Sequence, residues 1–292
     1  MSLEFVPLPS GVGVEIVGLD LRAAQSDNVV AQVLDAFWEH HLVLVRGPEV
    51  GIDDQVRFAS WFGEIIPPDP AFQRAGYAAV ETYMSNVIGE FRITEPYALH
   101  RDNTHSPTPC GSMCLHALQV SDHGGETIFV DAHDAFERLP PEVQSRLRGL
   151  PTIHIGPATK GDPSFDPDQL LKGFRTTGGT PQTRSSQTWP AVLRHPITNV
   201  EVLYVDPATS YEFVGLATDD EECLRREVLS VFEARMREYR HVWSVGDTIV
   251  WDNFSLLHGR TAFPAHEKRT LRKLIMGAPV AATASAPAAS HT

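Results

Sequence analysis

The sequence predicts a mainly β protein with flanking helices, an α+β fold in which residues 1–280 form one domain. From about residue 80 onward, short apolar runs recur between Gly, Pro, Asn or Asp residues, and such runs are typical of strands. Longer segments with apolar residues at helical spacing are few. Many short strands with few helices favour an antiparallel sandwich or barrel decorated by helices.

The N-terminal part of the chain is predicted to combine strands and helices. Residues 11–21 alternate as a strand does, and residues 42–47 form an apolar run that ends at a glycine. Residues 28–41 and 51–64 carry apolar side chains at helical spacing, so each segment is predicted to be a helix.

The rest of the chain is predicted to be mostly strands. The strand-like runs lie at residues 79–87, 112–120, 126–131, 191–197, 200–205, 247–253 and 271–278. Two helical segments interrupt them, one at 133–149 that its prolines break, and one at 219–242.

Two segments fall outside this pattern. Residues 159–190 are rich in Gly, Thr, Pro and Ser and are too long for an ordinary connection in a compact domain. We therefore expect a lid over a substrate site in this segment. Residues 281–292 contain almost no core-forming side chains and are predicted to be a flexible tail.

Composition narrows the function. A formal net charge of −13 over 292 residues disfavours a nucleic-acid partner, because an acidic surface repels phosphate. No apolar run is long enough for a membrane span, and the N-terminus lacks the pattern of a secretory signal. Three cysteines fit a reduced cytoplasmic protein better than a disulfide scaffold, and Cys110 and Cys114 lack a second pair with which to build a zinc site.

Three residues stand out as candidate metal ligands. His100 and Asp102 are two apart, so on a strand they point to the same face and can bind one ion together. The third ligand must come from elsewhere, and His258 follows an apolar strand and a "WDN" turn. Two histidines and a carboxylate on one face of an octahedral ion form the site of non-haem Fe(II) oxygenases. An ion pair between His100 and Asp102, or a core role for His258, remains the alternative.

Four motifs occur in order along the chain: "LHRD" at 99–102, "GGET" at 124–127, "WDNFSLLH" at 251–258, and an arginine, Arg269, eleven residues after the last histidine. In this order they resemble the Fe(II)- and 2-oxoglutarate-dependent dioxygenases of the taurine and 2,4-dichlorophenoxyacetate type. The resemblance extends from about residue 5 to 278.

The resemblance implies a double-stranded β-helix (jelly-roll) core, with Fe(II) bound by His100, Asp102 and His258. It also implies that Thr127 and Arg269 hold the distal carboxylate of 2-oxoglutarate, which suits a guanidinium fork and a hydroxyl donor. The implied activity is hydroxylation or another oxidation of a small molecule by O2, with release of succinate and CO2.

The sequence departs from the family pattern near the substrate. Leu99 stands where the family usually has Trp, and Lys273 stands where taurine-type members have an Arg that reaches an acidic substrate group. The candidate substrate contacts are Lys273, its neighbour Arg272 and Asn86.

Two other functions remain open, a zinc-dependent hydrolase on a cupin-like barrel and a non-catalytic relative that binds 2-oxoglutarate or metal. A homo-oligomer is also left open.

Overall fold

The computed structural model confirms the mainly β architecture. It describes residues 3–67, 80–88, 94–156, 180, 184–233 and 237–278. Within these ranges the strands are β1 (Glu4–Pro7), β2 (Val14–Val17), β3 (Leu42–Val45), β4 (Ile65–Ile66), β5 (Thr82–Ser85), β6 (Tyr97–His100), β7 (Cys110–Gln119), β8 (Thr127–Asp131), β9 (Pro151–Ile155), β10 (Ser186–Pro190), β11 (Val192–Arg194), β12 (Glu201–Leu203), β13 (Ser210–Phe213), β14 (Glu238–His241), β15 (Thr248–Asp252), β16 (Leu256–Arg260) and β17 (Thr270–Gly277).

The helices of the same ranges are α1 (Asp27–His40), α2 (Ile52–Ala59), α3 (Ala132–Glu137), α4 (Pro141–Leu147) and α5 (Thr218–Glu233). The first begins at Ser26, whose side chain accepts a hydrogen bond from the N–H of Val29. It ends at His41, which adopts the left-handed conformation with φ 61°. In the described part of the chain, no helix has the length and apolarity needed to cross a membrane.

A large sheet forms the centre of the molecule. Its strand order is β1-β2-β3-β15-β7-β17-β4, and β5 also pairs with β17. Only the β2–β3 pair is parallel among the described strand pairs of this sheet. Helices α1 and α2 cover one face, where Phe37 and Phe58 pack in one core cluster with Cys114 and Leu274 of the sheet.

A second sheet faces the other side of the first. Its four strands are ordered β14-β8-β16-β6. Phe129 of β8 and Leu256 of β16 share a core cluster with Met113 and Trp251 of the large sheet. The rings of Phe129 and Trp251 meet edge to face, with centroids 5.3 Å apart. Successive side chains of β7 point to opposite faces, so Met113 packs between the two sheets and Cys114 packs under the helices.

One predicted helix extends too far at its C-terminal end. The helix predicted at 219–242 ends at Glu233, and residues 238–241 form β14, which pairs with β8. Within β14, Tyr239 and His241 are buried whereas the two residues that alternate with them are not. This period-2 pattern, placed directly after a helical pattern, is the reason for the error. The helix predicted at 133–149 is broken at its prolines, as expected, into α3 and α4.

Most of the predicted lid lies outside the described residues, as does the predicted tail at 281–292. The last part of the 159–190 segment is not a loop, because Ser186–Pro190 forms β10 and pairs with β9. Trp189 is buried there, and its indole N–H donates to the carbonyl of Thr104 at 2.7 Å. This tryptophan belongs to the core.

Candidate active site

The three predicted metal ligands lie together between two strands and a turn. His100, the last residue of β6, is the register partner of His258 in β16, and the two ring centroids are 4.3 Å apart. Asp102 lies in the turn that follows β6, so the prediction that it continues the strand is wrong. Its Oδ1 is 3.7 Å from Nε2 of His100, and its Oδ2 is 3.9 Å from Nε2 of His258.

These side chains form the one group of three or more His, Cys, Asp or Glu in the described part of the chain that could hold a metal ion. One ligand atom from each lies within 4.8 Å of the others. Such spacing allows one ion to be bound by all three. Cys110 and Cys114 are buried free thiols and are not part of this group.

The protonation states suit a metal cation. Nδ1 of His100 is 2.8 Å from the carbonyl of Ala98 and therefore carries the proton, which leaves the lone pair of Nε2 toward Asp102. Burial lowers the pKa of His100 and, more strongly, that of His258, so both imidazoles are neutral. Burial alone would raise the pKa of Asp102, but the nearby ammonium group of Lys273 holds it below its usual range. Two neutral imidazoles and a carboxylate are the donors that Fe(II) takes in this geometry.

Two side chains fix the turn that carries Asp102. The amide of Asn253 accepts from the N–H of Asp102 at 3.2 Å and donates to its carbonyl at 3.0 Å. The fully buried guanidinium of Arg101 pairs with Asp206 and donates to the carbonyl of Phe254 at 3.1 Å. Arg101 is thus structural, and the contact of Asn253 with Asp102 was not predicted from the sequence. A polar residue in a turn gives no sign of a partner 151 positions away.

Strand alternation separates the two cationic substrate candidates on β17. Nζ of Lys273 is 2.6 Å from Oδ2 of Asp102. Arg272 points to the helix-covered face, where it donates to Oε1 of Gln55 at 2.5 Å and to the carbonyl of Val50 at 2.7 Å. These bonds commit the guanidinium of Arg272 to anchoring α2, so we no longer assign it a substrate contact.

Thr127 and Arg269, the two residues that the resemblance assigns to 2-oxoglutarate, contact each other. Arg269 donates through Nε to the carbonyl of Gly125 at 2.9 Å and through Nη2 to Oγ1 of Thr127 at 3.4 Å. The indole N–H of Trp243 donates to the same hydroxyl at 2.9 Å. An oxygen that accepts two hydrogen bonds keeps its own O–H for a further acceptor. Nothing in the sequence singled out Trp243, because a buried indole can find its acceptor anywhere in the core.

Arg269 is a buried cation that suits an anionic ligand. It is 3% exposed, and among the described residues no carboxylate lies within ion-pair distance of its guanidinium. Burial, and after it the nearby Arg260, lowers the pKa of Arg269 to about 9. A guanidinium buried in this way is stabilised by a bound anion.

Asn86 contacts the backbone of this region. Its Oδ1 accepts from the N–H of Arg269 at 2.9 Å, and its Nδ2 donates to the carbonyl of Glu267 at 2.7 Å. Because both ends of the amide are engaged, Asn86 positions Arg269, and we no longer assign it a substrate contact.

Comparison with known proteins assigns the family. The sequence model described as "Taurine catabolism dioxygenase TauD, TfdA family" matches residues 4–275. The chain belongs to this dioxygenase family. As a member, it is a 2-oxoglutarate-dependent non-haem iron dioxygenase.

Individual relatives extend over nearly the whole chain. The alpha-ketoglutarate-dependent 2,4-dichlorophenoxyacetate dioxygenase of Cupriavidus pinatubonensis is 26% identical, covering 94% of this chain and 97% of the relative. Pentalenolactone F synthase of Streptomyces arenae is 24% identical, and the match covers 94% of this chain and 95% of the relative. The crystal structure of a taurine dioxygenase from Burkholderia xenovorans is similar with a TM-score of 0.77 at 22% identity. The match covers 96% of this chain and 91% of that structure, and it supports the same fold.

Proposed function

We propose that this dioxygenase binds Fe(II) through His100, Asp102 and His258 and holds the distal carboxylate of 2-oxoglutarate with Thr127 and Arg269. The activity that follows is oxidation of a small-molecule substrate by O2, coupled to release of succinate and CO2. Hydroxylation is the simplest such oxidation.

The register of the smaller sheet carries this proposal. His258 of β16 pairs with Phe129 of β8, and Arg260 pairs with Thr127. Thr127 is therefore the diagonal neighbour of His258 on the same sheet face, a placement that separates the two residues by about 7–8 Å and their Cβ atoms by somewhat less. A five-carbon dicarboxylic acid is long enough to span this gap, with one end at the metal and the other at Thr127 and Arg269.

The order of strands between the two sheets supports a double-stranded β-helix core. The chain passes from β6 in the smaller sheet to β7 in the larger, and back to β8 in the smaller. It repeats this exchange from β14 to β15, β16 and β17. A jelly roll is built from such an exchange of antiparallel strands between two facing sheets.

When bound, Fe(II) supplies the activation of O2 and the oxidative decarboxylation of 2-oxoglutarate. The protein supplies position and shielding. The hydrogen bond from Nδ1 of His100 to the carbonyl of Ala98 turns the lone pair of Nε2 toward the metal position, and Asn253 holds the backbone of Asp102. The guanidinium of Arg269 and the hydroxyl of Thr127 orient the co-substrate 2-oxoglutarate. Its 2-oxo acid end then points toward the three proposed metal ligands.

The proposal is tested by the succinate that forms from 2-oxoglutarate in the presence of Fe(II), ascorbate and candidate small molecules. Wild-type protein should form succinate with Fe(II) and none with Zn(II), whereas a zinc-dependent hydrolase would need neither 2-oxoglutarate nor Arg269. Asp102→Ala should lose Fe(II)-dependent succinate formation and keep its fold by circular dichroism. Undiminished succinate formation by Asp102→Ala would refute the ligand assignment.

Three coarser proposals complete the function. We propose one catalytic domain over residues 1–280, a cytoplasmic location that agrees with free cysteines at 110, 114 and 223, and a lid role for the segment from 159 to 185. The partners are the small-molecule substrate and O2, and neither a nucleic acid nor a membrane is proposed. A homo-oligomer remains open.

A further inference from the structure

The ammonium group of Lys273 and the carboxylate of Asp102 form a close ion pair beside the two histidines of the proposed metal site. Nζ lies 2.6 Å from Oδ2, and the two side chains are only 14% and 22% exposed. We propose that Lys273 is a positioning residue that holds one oxygen of Asp102, so that the other oxygen is presented to the metal. The proposal rests on the metal-ligand role of Asp102 and gives Lys273 this role in place of a substrate contact.

The backbone of Asp102 is fixed, but its side chain needs a separate restraint. Asn253 holds only the N–H and the carbonyl of Asp102. The residue lies in a turn beyond the end of β6, so it is outside the strand pairing of β6 with β16. An unrestrained carboxylate can rotate or bind a metal through both oxygens. The ammonium at Oδ2 leaves Oδ1, which is 3.7 Å from Nε2 of His100, as the available ligand oxygen.

The position of Lys273 suits this task. β17 pairs with β7 in the large sheet, and Lys273 points away from the helix-covered face to which Arg272 points. Within the described part of the chain, Asp102 is the one carboxylate within ion-pair distance of Lys273. A largely buried ammonium without an anion would be costly, so the pair accounts for the burial of both groups.

The type of cation also matters. Lysine is a compact point donor and can hold a single carboxylate oxygen. A guanidinium presents a planar fork that tends to engage both oxygens. The lysine at this position therefore restrains Asp102 and still leaves one oxygen for coordination.

The test measures Mn(II) binding to the full chain by calorimetric titration, without 2-oxoglutarate or substrate. Lys273→Met should raise the Kd for Mn(II) roughly 10–100-fold, the usual effect of removing a partner that orients a metal ligand. Lys268→Met removes a charge from an exposed lysine nearby in the chain and should leave the Kd unchanged. Lys273→Arg keeps a cationic donor and should bind Mn(II) more tightly than Lys273→Met and less tightly than wild type.

The outcomes separate this proposal from the function on which it rests. If Asp102→Ala binds Mn(II) as tightly as wild type, the ligand assignment itself is wrong. If Asp102→Ala loses Mn(II) while Lys273→Met binds it as tightly as wild type or more tightly, the positioning role is wrong and the site stands. Lys273→Gln replaces the Met variant should that protein fail to fold.

Discussion

Asn253 hydrogen-bonds both backbone groups of Asp102, accepting from its N–H at 3.2 Å and donating to its carbonyl at 3.0 Å. The same amide also donates to the carbonyl of Cys110 at 3.1 Å, at the start of β7. A single buried side chain thus ties the turn that carries the proposed carboxylate ligand to the large sheet.

Asn253→Ala should therefore weaken metal binding while Asp102 itself is unchanged. We expect the Kd for Mn(II) to rise roughly 10–100-fold, because the turn loses the bonds that orient the carboxylate. Calorimetric titration gives this Kd directly. Asn28→Ala, at an exposed position of α1, is the control and should bind Mn(II) like wild type. Equal affinities for all three proteins would show that Asn253 does not position the site.

Arg269→Leu should raise the 2-oxoglutarate concentration needed for half-maximal succinate formation by at least one to two orders of magnitude. Truncating one partner of a buried charge pair costs roughly 2–5 kcal/mol, and each increment of about 1.4 kcal/mol is a factor of ten. Binding of 2-oxoglutarate to the Mn(II)-loaded protein measures the same loss without turnover.

Arg272→Leu is the matched control for this arginine, three residues along the same segment. It removes the bonds to Gln55 and Val50, so it should lower the free energy of unfolding by about 1–3 kcal/mol. Its 2-oxoglutarate requirement should stay near that of wild type. The reverse pattern, a large co-substrate defect in Arg272→Leu and none in Arg269→Leu, would contradict the assignment.

His154 should make the protein less stable at acid pH. Burial disfavours its cation and, despite the attraction of Asp206, lowers its pKa to about 4, whereas an unfolded chain has a histidine pKa of about 6.5. As the pH falls from about 6.5 to 4, the unfolded state binds a proton at this residue and the folded state does not. The free energy of unfolding therefore falls through this window.

The comparison that isolates this residue is the fall in unfolding free energy between pH 7 and pH 4.5. It should be smaller in His154→Gln than in wild type by about 2–3 kcal/mol. Chemical denaturation at the two pH values measures it. His266→Gln, at an exposed position, should show the wild-type fall. A parallel dependence in His154→Gln and wild type would rule out His154 as the source.

The grouping of the proposed metal ligands could be predicted because its signals in the sequence are short and follow a fixed order. The spacing of His100 and Asp102, the strand before His258 and the Gly-Gly before Thr127 are all visible in the sequence. In the structure, one ligand atom each from His100, Asp102 and His258 lies within 4.8 Å of the other two. Arg269 likewise contacts Thr127.

The supporting residues were not predictable because their partners are remote in sequence. Asn253 and Asp102 are 151 positions apart, and Trp243 and Thr127 are 116 apart. No pattern within one segment encodes such a contact. The error at 238–241 has a local cause instead, because a period-2 pattern there comes soon after a helical pattern.

The edge position of β6 links metal occupancy to local opening of the fold. β6 is the last strand of its sheet, paired only with β16 among the described strands, and their register shifts between His258 and Arg260. An ion bound by His100, Asp102 and His258 would act as a cross-link between this edge strand and its neighbour. Because such an ion binds the closed edge and not the open one, each tenfold gain in metal concentration above the Kd would stabilise closure by about 1.4 kcal/mol. Hydrogen exchange at the amides of β6 would then report metal affinity, and a chelator would fray this edge before the rest of the sheet.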